Sequence, residues 1–250
     1  MSGHSKWANI KRQKGAADAK RGQLFTKLTR EIIVAARQGG ANLDSNFQLR
    51  LAVQKAHDNN MPSDNIERAI KRGSGETEAS ALTEIKFEGY GPSGIAVLVE
   101  ALTDNRNRTV QDVRRLFTRH GGNLGESGCV SWLFENRGVI TVESNGANAE
   151  EVALHAIDAG AEDVRTEKGY VEIYTQPQDL EKVRKVIEGK EHVISAELSL
   201  MPKTTMILDE NKAVQALNFL DELEGLDDVQ RVFSNLDFSD TTLERLRSQT

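Results

Sequence analysis

The chain has 250 residues, of which 38% are hydrophobic, a formal net charge of −6 and a single cysteine. That length allows two or three domains. One cysteine excludes an intrachain disulfide framework and suits a reducing compartment. No apolar run approaches the ~18 residues of a membrane-spanning helix, and the N-terminus lacks the apolar stretch of a secretory signal. The charge is divided unevenly. Residues 1–75 hold 14 Lys/Arg and 6 Asp/Glu, net +8, while the remainder holds 18 and 32, net −14. Such asymmetry implies a polyanion partner for the basic part; a solvated charged surface is the plain alternative.

Residues 16–38 are predicted to form a helix. Leu24, Leu28 and Ile32 recur every four residues, Phe25 and Ala36 flank the stripe, and Gly39-Gly40 supplies a stop. A second helix follows Asp44 or Ser45, with Phe47, Leu51 and Ala52 on one side, and breaks at Met61-Pro62. A third starts near Asp64, which has capping-box spacing to Glu67. It ends in Arg68, Lys71 and Arg72 before Gly73, where cations suit the negative end of the helix dipole. Residues 1–73 thus read as a basic helical domain, and the small, polar stretch 74–81 as a linker.

The periodicity then changes. FEGY and GIAVLVEAL read as paired strands, TVQDVRRLFTRH as a helix and CVSWLF as a strand. GVITVES, AEEVALHAIDAG, EDVRTEKGYVEIYT, QDLEKVRKVIEG and HVISAELSL follow as strand, helix, hairpin, helix and strand, the βαββαβ order of a ferredoxin-like unit. A helix, NKAVQALNFLDELEG, and a strand, VQRVFSNL, complete the series. Neither flank of the block closes a sheet alone. The expected architecture is therefore multidomain α+β, with a small helical domain and two ferredoxin-like α/β domains, one inserted in the other. Residues 82–136 and 201–238 make the discontinuous domain, 137–200 the insert, and 239–250 a frayed tail.

Several stretches imitate chemistry. Gly89-Tyr90-Gly91-Pro92-Ser93-Gly94 matches GxGxxG, but that fingerprint must open a helix, and here the strand IAVLVEAL follows; Pro92 among glycines suits a hairpin turn. GGNLGESG at 121–128 precedes a strand, so its glycines read as turn residues rather than a phosphate cradle. His4, His57, His120, His155 and His192 fall at no metal-ligand spacing, and no metal or cofactor is indicated. Cys129 reads as a buried structural thiol. In KGYVEIY, Tyr170 and Tyr174 share a strand face, but Glu172 stands where an RNA-recognition strand carries an aromatic, which favours packing. Nothing marks a catalytic residue, and the chain reads as a non-enzyme.

The binding candidates are cations. Lys6, Lys11, Arg12 and Lys14 precede the first helix, and Lys20, Arg21, Lys27 and Arg30 lie on it. Such clusters hold phosphate backbones through charge and counterion release without reading bases. Trp7, in the most polar part of the arm, either stacks on an unpaired base or anchors the arm. Arg106 and Arg108 fall near the N-terminus of the TVQDVRRLFTRH helix, which Asp104 or Asn105 could cap. The dipole gives cations no help there, so a nucleic-acid partner or neighbouring carboxylates must explain them. Residues 208–250, with ten acids and four bases, would hold polyanions off that side.

GHSKWANIK, followed by Lys14, Asp18, Arg21 and FTKLTREI, resembles the N-terminal signature of the YebC/PmpR family. FEGYGPSGIAVLVEALTDNRNRT and GGNLGESGCVSWLF resemble its two other strong blocks. Cys129 stands where the family usually has Ser, and Leu133 where it usually has Met; neither alters a charged position. The resemblance implies a helical domain followed by two α/β domains. It implies binding to DNA or to ribosomal RNA, since family members are described as DNA-binding transcriptional regulators. Related proteins include a mitochondrial translational activator of cytochrome c oxidase subunit I, and bacterial relatives are implicated in relieving stalls at proline-rich stretches. The signature begins at Ser2-Gly3, leaving no room for a mitochondrial presequence, so a bacterial cytoplasmic protein is expected. The expected function is regulation of gene expression by nucleic-acid binding, first as a DNA-binding transcriptional regulator. A ribosome-associated translation factor is the alternative. An enzyme on a phosphorylated small molecule, resting on the glycine loops alone, is the third reading.

Overall fold

The computed structural model describes residues 18–75, 82–144, 148–167, 169–239 and 242. Among them lie seven α-helices and ten strands in an α+β fold. The chain divides into two compact units, Met1–Phe134 with Met201–Thr250, and Glu135–Leu200.

The first unit opens with three helices, α1 (Asp18–Gly39), α2 (Phe47–Asp58) and α3 (Ser63–Gly73). Leu28, Ile32, Ala35 and Ala36 of α1 pack with Leu49, Ala52 and Ala56 of α2 and Ile66 and Ala69 of α3, the apolar stripe that a 3.6-residue period builds. Two details differ from expectation. Helix α2 buries Leu49 and Val53, leaving Phe47 and Leu51 half-buried. The cause is its cap, which is Asn46 rather than Asp44 or Ser45. The Asn46 Oδ1 accepts from the Leu49 amide at 3.0 Å, and its Nδ2 donates to the carbonyls of Ala35 and Gly40 at 2.8 and 2.7 Å. One buried side chain therefore ends α1, starts α2 and sets the rotation of α2. Helix α3 starts from Pro62, so the Asp64–Glu67 box is replaced by Asp64 in the first turn, where the dipole favours an acid. Of the expected linker, residues 76–81 lie outside the described residues.

Strands β1 (Thr83–Tyr90) and β2 (Ala96–Thr103) pair antiparallel from Thr83↔Thr103 to Tyr90↔Ala96. A 3-10 turn at Pro92–Gly94 joins them, with Ser93 and Gly94 at φ of 59° and 81°. Helix α4 (Arg106–Arg119) is capped by Asn105, whose Oδ1 accepts from the Arg108 amide at 3.1 Å. β3 (Asn123–Leu124) then adds to β1. CVSWLF, expected as a strand, is instead a 3-10 turn at Ser131–Leu133, because its amides are bonded to a carboxylate and not to a neighbouring strand. β4 (Phe134–Glu143) carries the chain into the second unit.

There α5 (Ala149–Ala159), β5 (Asp163–Glu167), β6 (Tyr170–Thr175), α6 (Leu180–Glu188) and β7 (Val193–Pro202) follow. The sheet order is β5-β6-β4-β7, which with chain order βαββαβ is the ferredoxin-like arrangement. Tyr170 and Tyr174 are buried, and the Tyr174 hydroxyl donates to buried Glu172, so both tyrosines serve packing.

The chain returns through β8 (Met206–Ile207), α7 (Glu210–Glu224), β9 (Val229–Ser234) and β10 (Leu236–Asp237). β9 joins β2 antiparallel, giving the order β3-β1-β2-β9, while β8 and β10 form a parallel pair. Phe87, Val97 and Val99 pack under α4 and α7, where the Phe117 and Phe219 rings meet edge-to-face at 4.9 Å. This unit runs ββαβ and then αβ, so it does not repeat the ferredoxin-like order expected of it. Its first two strands are joined by a tight turn with no crossover helix, which makes them neighbours.

Candidate nucleic-acid interface

Lys6, Trp7, Lys11, Arg12 and Lys14 lie outside the described residues, and Lys20 and Arg21 belong to α1 by backbone alone. Lys27 and Arg30, expected to bind phosphate, are turned inward. The Lys27 Nζ donates to the carbonyl of Glu224 in the last turn of α7, where a cation meets the negative end of that helix. Burial pushes the Lys27 pKa down, against the opposing pull of Glu224 and Asp227. The Arg30 Nη1 donates to Asp228 Oδ1 at 3.0 Å and to the carbonyls of Leu102 and Asp227. Arg37 donates to the Leu82 carbonyl at 3.0 Å. These three cations fasten α1 to the α/β part of its own unit.

Asp228 is the centre of that fastening. Besides Arg30 it accepts from Arg108 Nη2 at 2.8 Å, Thr109 Oγ1 at 2.8 Å and Thr103 Oγ1 at 3.2 Å. Its side chain is 9% exposed. Burial alone would raise its pKa, but the bonds from Arg108 and Thr109 and the charges of Arg108 and Arg30 outweigh that and hold it below the ordinary carboxylate range. Arg108, the other expected phosphate contact on α4, is thus paired with Asp228 and with Asp104 at 2.9 Å. Neighbouring carboxylates explain its place at a helix N-terminus. Arg106 is exposed and forms no ion pair among the described residues.

Arg108 is itself half exposed, and further cations face solvent. Lys71 and Arg72 at the end of α3, and Arg106 and Arg114 on α4, are exposed. A cleft of about 320 Å³ runs between the helices and the α/β part, with Phe25, Arg30, Ile33, Arg72, Leu82 and Asp104 in its walls. The end of α3 and the segment leading into α4 therefore border one cleft, with Arg72 in its wall and exposed Arg106 two residues beyond Asp104.

At the other end of the β1–β2 hairpin the two glycine loops meet. Gly89 and Gly122 allow the close approach: a Cβ would stand 2.5 Å from the Asn123 carbonyl at Gly89, and 2.6 Å from the Tyr90 carbonyl at Gly122. GYGPSG leads into β2, so its glycines serve packing and turning, with no helix N-terminus for a phosphate. Buried Glu88 holds the second loop, accepting from the amides of Gly128, Val130 and Ser131 at 2.9, 2.9 and 2.8 Å. Burial would raise its pKa, but three amide donors lower it on balance. Cys129 is half-buried, and burial and Glu88 push its thiol pKa up, which disfavours the reactive thiolate. Beside it stand exposed Tyr90 and Trp132. Sequence reasoning missed Asp228, Glu88 and Trp132. Asp228 lies in a generally acidic stretch, and no local pattern marks it as a hub.

A basic three-helix layer bonded to a discontinuous α/β sheet, with a ferredoxin-like insert, defines a multidomain α+β protein with exposed cations on its helices. Two sequence families match it, described as the TACO1/YebC protein N-terminal domain, over residues 5–76, and the TACO1/YebC second and third domain, over residues 82–236. The chain belongs to the TACO1/YebC family. It is 60% identical to a probable transcriptional regulatory protein of Dehalococcoides mccartyi over the full length of both. It is 49% identical to one of Thermotoga petrophila, over 100% of this chain and 99% of that protein. The crystal structure of a conserved hypothetical protein from Aquifex aeolicus superposes with a TM-score of 0.83 at 48% identity, over 89% of this chain and 93% of that one.

Proposed function

We propose that this protein is a cytoplasmic, nucleic-acid-binding regulator of gene expression that acts by binding and not by covalent chemistry, in the first place as a DNA-binding transcriptional regulator. The observation that carries the reading is the partition of charge, +8 in residues 1–75 and −14 in the rest. The names of the relatives agree with it. Phosphates are held by the arm cations Lys6, Lys11, Arg12 and Lys14, with Lys20 and Arg21, and by Arg106 on α4. Half-exposed Arg108 adds to this surface, Lys71, Arg72 and Arg114 extend it, and inward-turned Lys27 and Arg30 support it from behind. Trp7 stacks or anchors within the arm.

One observation favours ribosomal RNA as the polyanion instead. Helices α2 and α3 have helix-turn-helix spacing, but the leading half of α3 exposes Asp64 and Glu67. A recognition helix places that half in the major groove, where acids face phosphate repulsion.

The test is binding of duplex DNA and of a ribosomal RNA fragment by fluorescence anisotropy from 50 to 200 mM salt. Sucrose-gradient sedimentation of lysate with and without nuclease accompanies it. Salt-dependent binding that Lys11/Arg12/Lys14→Ala weakens supports the reading. Nuclease-sensitive co-migration with ribosomes selects the RNA form. A chain that binds neither polyanion overturns both.

A further inference from the structure

The loop ends at the far side of the β1–β2 hairpin form a rigid aromatic platform. Trp132 is 63% exposed and Tyr90 41%. Exposed aromatics are usually mobile, but these two are fixed. The Trp132 Nε1 donates to the Cys129 carbonyl at 3.1 Å, and the Tyr90 hydroxyl donates to the same oxygen at 3.3 Å. That carbonyl is itself immobilised, because the amides on its C-terminal side, Val130 and Ser131, are bonded to buried Glu88. From the opposite side the Lys203 Nζ donates to the Trp132 carbonyl at 3.0 Å and the Lys203 amide to that of Leu133 at 2.8 Å.

The consequence is chemical. Both rings have their polar edges satisfied within the protein, so what they offer to solvent is ring face. Their ordering entropy is already spent on folding, which is the condition under which a contact adds most to binding. Flat, fixed aromatic faces beside a lysine are the elements of a base-stacking site. The loop carries Glu126 and buried Glu88 against Lys203, with no excess of positive charge, so this site holds a ring and not a phosphate.

Its position agrees. The register runs from Thr83↔Thr103, next to the Arg106 end of α4, to Tyr90↔Ala96 at the platform. Seven residues of strand separate the two, ~24 Å at the usual rise. A strand lying along this length would place phosphates at the cationic rim and an unpaired base at the rings. A continuous duplex, with its bases stacked inward, could not use the second contact.

We infer that Tyr90 and Trp132 form a stacking site for an unpaired nucleobase, so that the nucleic acid bound is single-stranded or looped where it crosses this end of the hairpin. The inference rests on the nucleic-acid reading above and can fail without it.

The experiment uses the full chain labelled with 5-fluorotryptophan. The sequence contains two tryptophans, and the 19F resonance absent from Trp132→Phe identifies Trp132. A 12-nucleotide single strand and the same sequence as duplex are titrated, with anisotropy measured in parallel. The expected result is a shift of the Trp132 resonance by the single strand alone. Trp132→Ala and Tyr90→Ala should each weaken single-strand binding by roughly tenfold, within the usual range for one stacked base. Their salt slope should stay at the native value, with thermal unfolding confirming an intact fold. If the oligonucleotide binds by anisotropy while the Trp132 resonance stays still and Trp132→Ala binds as the native chain does, the platform is not a base site, although the nucleic-acid reading survives. A resonance that moves only with protein from nuclease-treated lysate overturns the inference in favour of a protein partner. No oligonucleotide binding at all overturns both.

Discussion

Asp228→Asn is the most informative substitution, because it tests whether Arg30 and Arg108 are fasteners or phosphate ligands. The carboxylate accepts four side-chain bonds, two of them from guanidinium groups. An exposed ion pair is worth about 0–1 kcal/mol, and breaking a fully buried one costs about 3–5 kcal/mol. This site falls between. Asp228 is 9% exposed and Arg30 17%, but Arg30 keeps the carbonyls of Leu102 and Asp227, and Arg108 is half exposed and keeps Asp104. The amide can also still accept one or two of the four bonds. The expected loss is about 2–3 kcal/mol, which for a unit of this size lowers the midpoint by about 4–12 °C. Thermal unfolding measures it, and amide exchange localises it: protection should fall in α1 and at the start of β9, with the 135–200 unit as internal reference. The pH dependence has a definite sign. A carboxylate depressed in the folded state stabilises above its unfolded pKa of about 3.9 and loses that contribution as pH falls through its folded value. The difference between native and variant should therefore shrink below about pH 4. A midpoint within 1 °C of native, with α1 protection unchanged, would refute the fastening argument and return Arg30 to the phosphate-binding set.

Three further outcomes follow from the same geometry. Glu88→Gln replaces an acceptor of three amides with a group that sets its own N–H against at least one of them, so a loss of about 2–3 kcal/mol is expected; hydrogen exchange should quicken at residues 128–131, and equal exchange rates would count against the role of Glu88. Asn46→Ala removes the α2 cap, about 1 kcal/mol, and strips a donor from the carbonyls of Ala35 and Gly40, for a total of about 2–3 kcal/mol in denaturant unfolding. Asn46→Asp should restore the cap portion alone, and a fully native Asp variant would show that the amide bonds contribute nothing. In the salt series, Arg106→Ala and Arg114→Ala should flatten the slope of log K by up to about one each, as phosphate contacts do. Arg30→Gln should leave the slope unchanged while lowering stability, and the reverse pattern would contradict the division drawn between exposed and inward cations.

What the sequence determined by itself is what depends on near neighbours. The 3.6-residue stripe of α1, the apolar run of β2 and the βαββαβ order of the insert are all written in consecutive residues, and the structure follows them in an α+β fold. The partition of charge is a sum over the chain and needs no structure. The rotation of α2, by contrast, turned on Asn46, whose amide reaches back 11 residues to Ala35. CVSWLF has the composition of a strand, yet Glu88, more than 40 residues earlier, holds its amides in a turn. Most of all, the partners of Lys27 and Arg30 were set at long range. Lys27 and Arg30 look like Lys20 and Arg21 along the helix, but their partners stand at positions 224 to 228, nearly 200 residues away. A cation's charge is a local property, but whether that charge remains free for a partner depends on which carboxylate or carbonyl the rest of the chain brings within 3 Å of it, and only the tertiary structure decides that.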